Sequence, residues 1–363
     1  MKIVLFADGA SIHCEKWIRG LNLNLQAQID LIHLNPEPVR PAVLAALGPD
    51  HIHSFAPPKM RASGGNLQYL LKAPAIRRLV RRLDPDVINT IYLTSYGFLG
   101  ALCKGRAKLC HFAVGSDILV TPKRSLAYYT LTKWTLSRAD LVMSVSGTVG
   151  QEISATFNYP SDKLLVQHYG LEPFVLDYPR PVEKYTFVSN RAWVENSNIE
   201  LIAETLRGFP AEKAAVIGAT RPGGEALAER IRKAIRAQSQ IEEFSALAYE
   251  KNIEVVASSR FLLTWTFTDG TPGSLIEAMA MGTIPIASDT APNREWVEDG
   301  VNGVLIPLGD KASTQAKLLS ALRMDDKAIA RMAAANKRIV AERATLKTNM
   351  GRLCKRLQSL LIK

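Results

Sequence analysis

Short apolar runs rich in β-branched residues alternate along the chain with longer segments in which apolar residues recur every three or four positions. The first pattern fits buried strands and the second amphipathic helices, and their alternation predicts parallel sheets with helices on both faces. Strands are expected at 2–6, 29–34, 86–91, 108–113, 141–145 and 164–167, and after a restart at 185–189, 214–217, 253–257, 261–265 and 284–287. Helical spacing runs over 198–206 and 224–236, and three helices close the chain at 311–323, 326–343 and 346–361. Between Phe174 and Lys184, Pro179 and Pro181 suppress helix on either side and mark a linker. The expected organisation is one nucleotide-type α/β domain over 1–175, a second over 176–345, and a last helix over 346–363 placed to pack back on the first domain. Two such domains make a cleft between them, and open α/β sheets take ligands at the carboxyl ends of their strands.

The length of 363 residues suits two domains of ordinary size. No stretch approaches the roughly 18 consecutive apolar residues of a spanning helix, and the opening Met1 to Phe6 reads as a first strand rather than a signal-peptide core. A cytoplasmic location is expected. Cys14, Cys103, Cys110 and Cys354 show no paired spacing, which predicts reduced thiols. The six histidines are scattered; His51 and His53 share a strand face but lack the clustered ligands of a metal centre, and no metal is expected.

A net charge of +11 admits nucleic acid, an anionic membrane surface or an anionic substrate as partner. No nucleic-acid motif accompanies it, so nucleic acid is not expected. Lys59, Arg61, Lys72, Arg77, Arg78, Arg81 and Arg82 crowd one stretch, the last five of them within the segment from Asn66 to Leu83. Pro74 should limit a helix there to the second part, where Ile76, Leu79, Val80 and Leu83 recur at helical spacing with the arginines opposite. That layout fits an interfacial helix on an anionic membrane, or a domain helix whose stripe packs on a sheet and leaves the arginines in solvent.

The densest candidate chemistry lies between Thr264 and Asp289. A strand ends in Asp269, a turn of small residues follows, and a helix opens near Pro272 to Ser274, since proline suits the first helical position. The free amides and dipole of a helix start attract anions such as a diphosphate, and Gly270 and Gly273 let a ligand approach the backbone closely. Asp269 and Glu277 stand eight residues apart, and ionised carboxylates accept readily from sugar hydroxyls. The spacing Ser274-x-x-Glu277 equally fits a capping box, in which Glu277 only holds the helix start.

Read through Ala278-Met-Ala-Met-Gly282 and Asp299-Gly-Val-Asn-Gly303, this segment resembles the donor-site signature of the family-4 retaining glycosyltransferases, which carries a Glu-x7-Glu pair, a similar helix exit and an Asp-Gly-x-Asn-Gly turn. Looser likeness at Ser189 to Trp193, Gly115-Ser116-Asp117 and Ala139-Asp140 extends it over most of the chain. The resemblance implies an α/β fold of GT-B type, two Rossmann-like domains facing across an inter-domain cleft. It makes Arg191 a diphosphate ligand, with a surface salt bridge as the alternative, and Glu277 the ribose ligand. Asp269 takes the place of the first glutamate of the pair, against the transferred sugar, so that Asp269 and Arg191 are the catalytic candidates. Asn196, Gly270, Thr271, Gly273, Ser274 and Leu275 complete the implied donor site. Gly9, Ser11, His13 and Asp117 form the implied acceptor or phosphate loops.

Two departures stand out: Asp269 is a methylene shorter than glutamate, and Asn196 or a neighbour stands where the family has a phosphate-binding lysine. No general base is assigned, His111 lying on the strand before Asp117; in retaining transfer the departing diphosphate takes the acceptor's proton. The implied activity is hexosyl or N-acetylhexosaminyl transfer, without cofactor or metal, from a UDP- or GDP-linked donor to a cell-envelope glycan or lipid-linked saccharide at the inner face of the membrane. The two departures motivate an alternative, an inactive nucleotide-binding partner protein.

Overall fold

In the computed structural model, which describes residues 1–56, 68–220, 223–245 and 247–362, the chain divides into two compact units, 1–170 with 345–363, and 171–344. The first holds seven strands: β1 (Lys2–Phe6), β2 (Gln28–His33), β3 (Ile52–Ser54), β4 (Val87–Ile91), β5 (Lys108–Ala113), β6 (Leu141–Ser144) and β7 (Leu164–Val166). They pair in parallel in the order β3-β2-β1-β4-β5-β6-β7. The second holds β8 (Tyr185–Asn190), β9 (Ala214–Ile217), β10 (Ile241–Phe244), β11 (Ser259–Thr264), β12 (Ile284–Ser288) and β13 (Val304–Ile306), parallel in the order β10-β9-β8-β11-β12-β13.

Both sheets are apolar on both faces, because successive strand residues point to opposite sides and helices cover each side. In β1, Ile3 and Leu5 enter one core cluster while Val4 and Phe6 enter the other. In β11, Leu262 points to one side and Phe261 with Leu263 to the other. Each sheet has one place where the chain reverses its direction of travel, between β1 and β4 and between β8 and β11. At such switch points the loops leave toward opposite faces and open a crevice at the carboxyl edge.

Several elements differ from expectation. Residues 253–257 are not a strand but the end of the helix Tyr249–Ala257, with Ile253, Val255 and Val256 buried; a short apolar run does not separate the two states by period. The strand in that region is β10, whose Ile-Glu-Glu-Phe sequence reads as polar because it is an edge strand with little burial. The expected linker belongs wholly to the second unit, where Pro173–Leu176 forms a short helix and Val175 is buried. The final helix, Leu346–Ser359, lies in the first unit and buries Leu346, Met350, Leu353, Cys354 and Leu357.

Pro74 does not limit its helix, which runs from Gln68 to Leu83 with Pro74 inside. The proline is exposed, so the carbonyl it cannot pair is accessible to water. Ile76, Leu79 and Val80 pack into the core with Val4, Phe6 and Ile88, leaving Arg77, Arg78, Arg81 and Arg82 exposed. The domain-helix alternative therefore holds for the apolar stripe, which is not available for insertion into lipid. Lys59, Arg61 and Asn66 lie outside the described residues. Among the described residues, no helix is long and apolar enough to cross a membrane.

Candidate functional site

The second switch point gathers several of the residues expected at a donor site. Arg191 follows β8 directly, and the turn after β11 carries Asp269. Because β8 and β11 are neighbours, the two side chains meet across the crevice: the guanidinium Nη2 pairs with Asp269 Oδ2, and Nη1 donates to Ser274 Oγ at 3.3 Å. The pair is largely shielded, with the side chains 19% and 15% exposed. The salt bridge held as the alternative for Arg191 is thus present, and its partner is the other catalytic candidate. Asp269 Oδ1 also accepts from the Gly270 amide at 2.9 Å, which fixes the turn.

The helix after this turn is Gly273–Met281, and its N-cap, Pro272, offers no side-chain acceptor. The amides of Leu275 and Ile276 reach back to the Pro272 carbonyl, so among the described residues Gly273 and Ser274 supply the free first-turn donors. A Cβ at Gly273 would meet nothing within 4 Å, an open approach to those amides. Thr271 is buried, and its hydroxyl donates to the Gly270 carbonyl at 2.9 Å.

The capping box does not form. Ser274 is turned to Arg191, and the buried Glu277 accepts from the Tyr249 hydroxyl at 2.6 Å through Oε1. Tyr249 opens the helix Tyr249–Ala257 and has Phe174 edge-on at 5.7 Å. Tyr249 carries no local sequence signal, because Glu277 lies 28 positions away.

Two donor-site candidates have structural duties. Asn196 donates to the Thr268 carbonyl at 2.7 Å and accepts from the Thr268 amide at 3.1 Å. Both ends of its amide are occupied in holding the turn before Asp269. Leu275 is fully buried in the core and offers no side chain to a ligand. Asn198, in the left-handed region at φ 50°, adds a second brace by donating to the Trp265 carbonyl at 2.7 Å.

In the first unit the expected loops are also partly structural. Asp117 is completely buried and accepts from the amides of Leu93 (2.9 Å), Val114 (3.1 Å) and Gly115 (2.8 Å). It ties the loop after β5 to the loop after β4 and is not open to an acceptor. Gly9 lacks a side chain for packing reasons, since a Cβ would lie 2.9 Å from Val39 and 3.1 Å from Leu31. Ser11 caps the helix Ile12–Asn24 by accepting from the His13 amide. His13 is exposed, with Nδ1 3.0 Å from the Tyr169 hydroxyl. His111 is buried between Thr90 Oγ1 (2.6 Å) and the Thr135 carbonyl (3.4 Å), and burial lowers its pKa to about 4.

His51 and His53 both contact Asp30 Oδ1, at 3.1 and 3.0 Å. Among the described residues no group of three or more His, Cys, Asp or Glu side chains is arranged to hold a metal ion. The four cysteines are buried and unpaired, and burial raises each thiol pKa.

Residues 2–146 match the family model described as glycosyl transferase 4-like, and residues 184–324 match that of the glycosyl transferases group 1. None of the curated proteins matches in sequence. Among solved structures, Alr3699/HepE of Anabaena in complex with UDP and glucose superposes with a TM-score of 0.79 at 16% identity, covering 99% of this chain and 100% of its own. Sucrose-phosphate synthase of Thermosynechococcus elongatus gives 0.82 at 14% identity, covering 100% and 99%. A glycosyltransferase of Rickettsia africae gives 0.74 at 15% identity, covering 100% and 98%.

Proposed function

Because the chain belongs to the glycosyltransferases of GT-B fold, we propose that it moves a sugar from a nucleotide-diphosphate sugar to a saccharide or lipid-linked acceptor with retention of anomeric configuration. The observation that carries this reading is the convergence of Arg191, Asp269, Ser274 and an uncapped helix start at the second switch point. A guanidinium and free amides at one crevice suit a diphosphate, whose charge grows as the sugar leaves. Donors fixed in place before the reaction stabilise that charge without reorganising. Glu277, oriented by Tyr249, takes the ribose hydroxyls, and Asp269, once the diphosphate replaces it on Arg191, is released toward the sugar.

The UDP and UDP-glucose bound in Alr3699/HepE of Anabaena support a uridine donor here. Four exposed arginines on the helix Gln68–Leu83 support peripheral docking on anionic lipid, where lipid-linked acceptors reside. No Asp or Glu stands between Asp50 and Asp84 to offset them.

A thermal-shift screen with UDP, GDP and their sugar conjugates, followed by an assay for nucleotide release, tests the reading. A ligand at 100 times its Kd stabilises by about 2.7 kcal/mol. Stabilisation by one nucleotide series together with turnover of its sugar conjugate is expected. Binding without turnover of any donor would favour the inactive-partner alternative, and no binding would end both.

A further inference from the structure

Tyr92 follows β4 directly and has φ 80° and ψ 117°, a combination that crowds the Cβ of every residue except glycine. The other non-glycine residues at positive φ are Asp84, Asn158 and Asn198, types that tolerate the left-handed region. Tyr92 is the one large side chain held there among the described residues.

Backbone bonds hold it in place. Its amide donates to the Phe112 carbonyl at 3.1 Å, and its carbonyl accepts from the Gly97 amide at 2.9 Å. The next amide, Leu93, donates to Asp117 Oδ2 at 2.9 Å. A glycine at position 92 would keep all three bonds without strain, so the turn itself does not require the tyrosine.

Nor does packing account for the ring. Tyr92 is half-buried and belongs to none of the core clusters. Its hydroxyl lies 3.4 Å from Ser116 Oγ, at the weak end of hydrogen bonding. The ring does have a particular location: β4 and β1 are the neighbours at which the first sheet reverses direction, so Tyr92 stands at the carboxyl edge of that switch point. The five residues after it, Leu93–Gly97, wind as a π-helix, a form that recurs at functional sites.

We propose that Tyr92 is a saccharide-contacting residue of the first unit, its ring a platform for the C–H face of the acceptor sugar and its hydroxyl, with Ser116 Oγ, a partner for the sugar's hydroxyls. The face of an aromatic ring is electron-rich and attracts the weakly positive hydrogens of a pyranose face, while the phenol keeps a polar handle at the edge. The identification of the sugar as acceptor rests on the transferase reading above.

The test uses the full chain with Y92F, Y92G and Y92A, and saturation-transfer NMR with the methyl glycosides of glucose, galactose, mannose and N-acetylglucosamine as probes. At least one glycoside should receive saturation from the unaltered protein and from Y92F, and about threefold less from Y92G and Y92A. Y92G should melt no lower than the unaltered protein and roughly 2 to 4 degrees above Y92A, which keeps the strained Cβ. Equal saturation in Y92G, no saturation from the unaltered protein, or a Y92G melting point well below it would overturn the proposal. UDP and GDP binding, measured alongside, should be unchanged in Y92G; if neither nucleotide binds the unaltered protein, the transferase reading fails while the glycoside result still decides the role of Tyr92.

Discussion

Arg191 and Asp269 neutralise one another, so the carboxylate stands where a diphosphate would bring its charge. Asp269→Asn removes that competition while keeping the shape. We expect the affinity for free nucleotide diphosphate to rise several-fold and turnover to fall by about 100-fold or more. Calorimetry beside a turnover assay checks this, and weaker nucleotide binding would show that Asp269 positions Arg191 for the diphosphate rather than competing with it. For Tyr249→Phe, loss of the bond to Glu277 should weaken donor binding by about tenfold with kcat little changed. The difference should disappear with a 2′,3′-dideoxynucleotide, which has no ribose hydroxyls for Glu277. An equal effect on both nucleotides would assign Tyr249 a structural role. The candidates Asp269, Ser274 and Glu277 are legible from the order strand, small-residue turn, helix, and Arg191 from the family resemblance. The surroundings of Asn196, Leu275 and Asp117, which are the Thr268 backbone, the core and the Leu93 amide, are set by tertiary neighbours and leave no local pattern.

The helix Gln68–Leu83 shows how one pattern serves two readings. An apolar stripe with arginines opposite is the layout of a helix on a sheet and equally of a helix on a membrane, because each requires one apolar and one polar face. Packing of Ile76, Leu79 and Val80 under the sheet settles the use of the stripe, and only electrostatic attraction is left for the arginines. Near an anionic surface each contributes about 1 kcal/mol, an attraction that salt screens. Replacing Arg77, Arg78, Arg81 and Arg82 with Gln should abolish co-sedimentation with anionic vesicles, and the unaltered protein should itself come off as salt is raised. Binding that is insensitive to salt, or identical in the variant, would remove these arginines from any membrane contact.

At the scale of the molecule, two parallel sheets of the same type place Tyr92 at the switch point of one and the Arg191–Asp269 pair at that of the other. With cationic and amide donors doing the neutralising, the transfer should proceed in the presence of a chelator and give a product of retained configuration, which NMR of the anomeric proton would report. An inverted product, or loss of activity to a chelator with rescue by magnesium, contradicts it. The first unit also carries a pH dependence. Burial lowers His111 from its ordinary 6.5 to about 4 and His168 to about 3. Both stay neutral in the folded chain while the unfolded chain takes up protons below 6.5, so their contribution is fully present above that pH and is lost as pH falls toward 4 and 3. Each costs about 1.4 kcal/mol per pH unit in that window. The Tm should therefore fall as pH is lowered from 6.5 to 4, and His111→Gln should flatten the slope even though it lowers the Tm itself; an unaltered slope would show that His111 is not protonated on unfolding.

The sequence alone determined what depends on local spacing. Alternating strand and helix periods specified two α/β units, the small-residue turn before Pro272 located the helix Gly273–Met281, and the scattered cysteines pointed to unpaired thiols. Tertiary structure decided what depends on residues distant in the chain: that Arg191 pairs with Asp269 across 78 positions, that Glu277 accepts from Tyr249, 28 positions away, and that residues 253–257 are helical. It also decided that Tyr92 is strained, since φ at that turn is imposed by bonds to Phe112 and Gly97 and by the Asp117 carboxylate bonded to the next amide. Periodicity records which faces are buried; the partner that each polar group finds is set only when the strands take their order in the sheet.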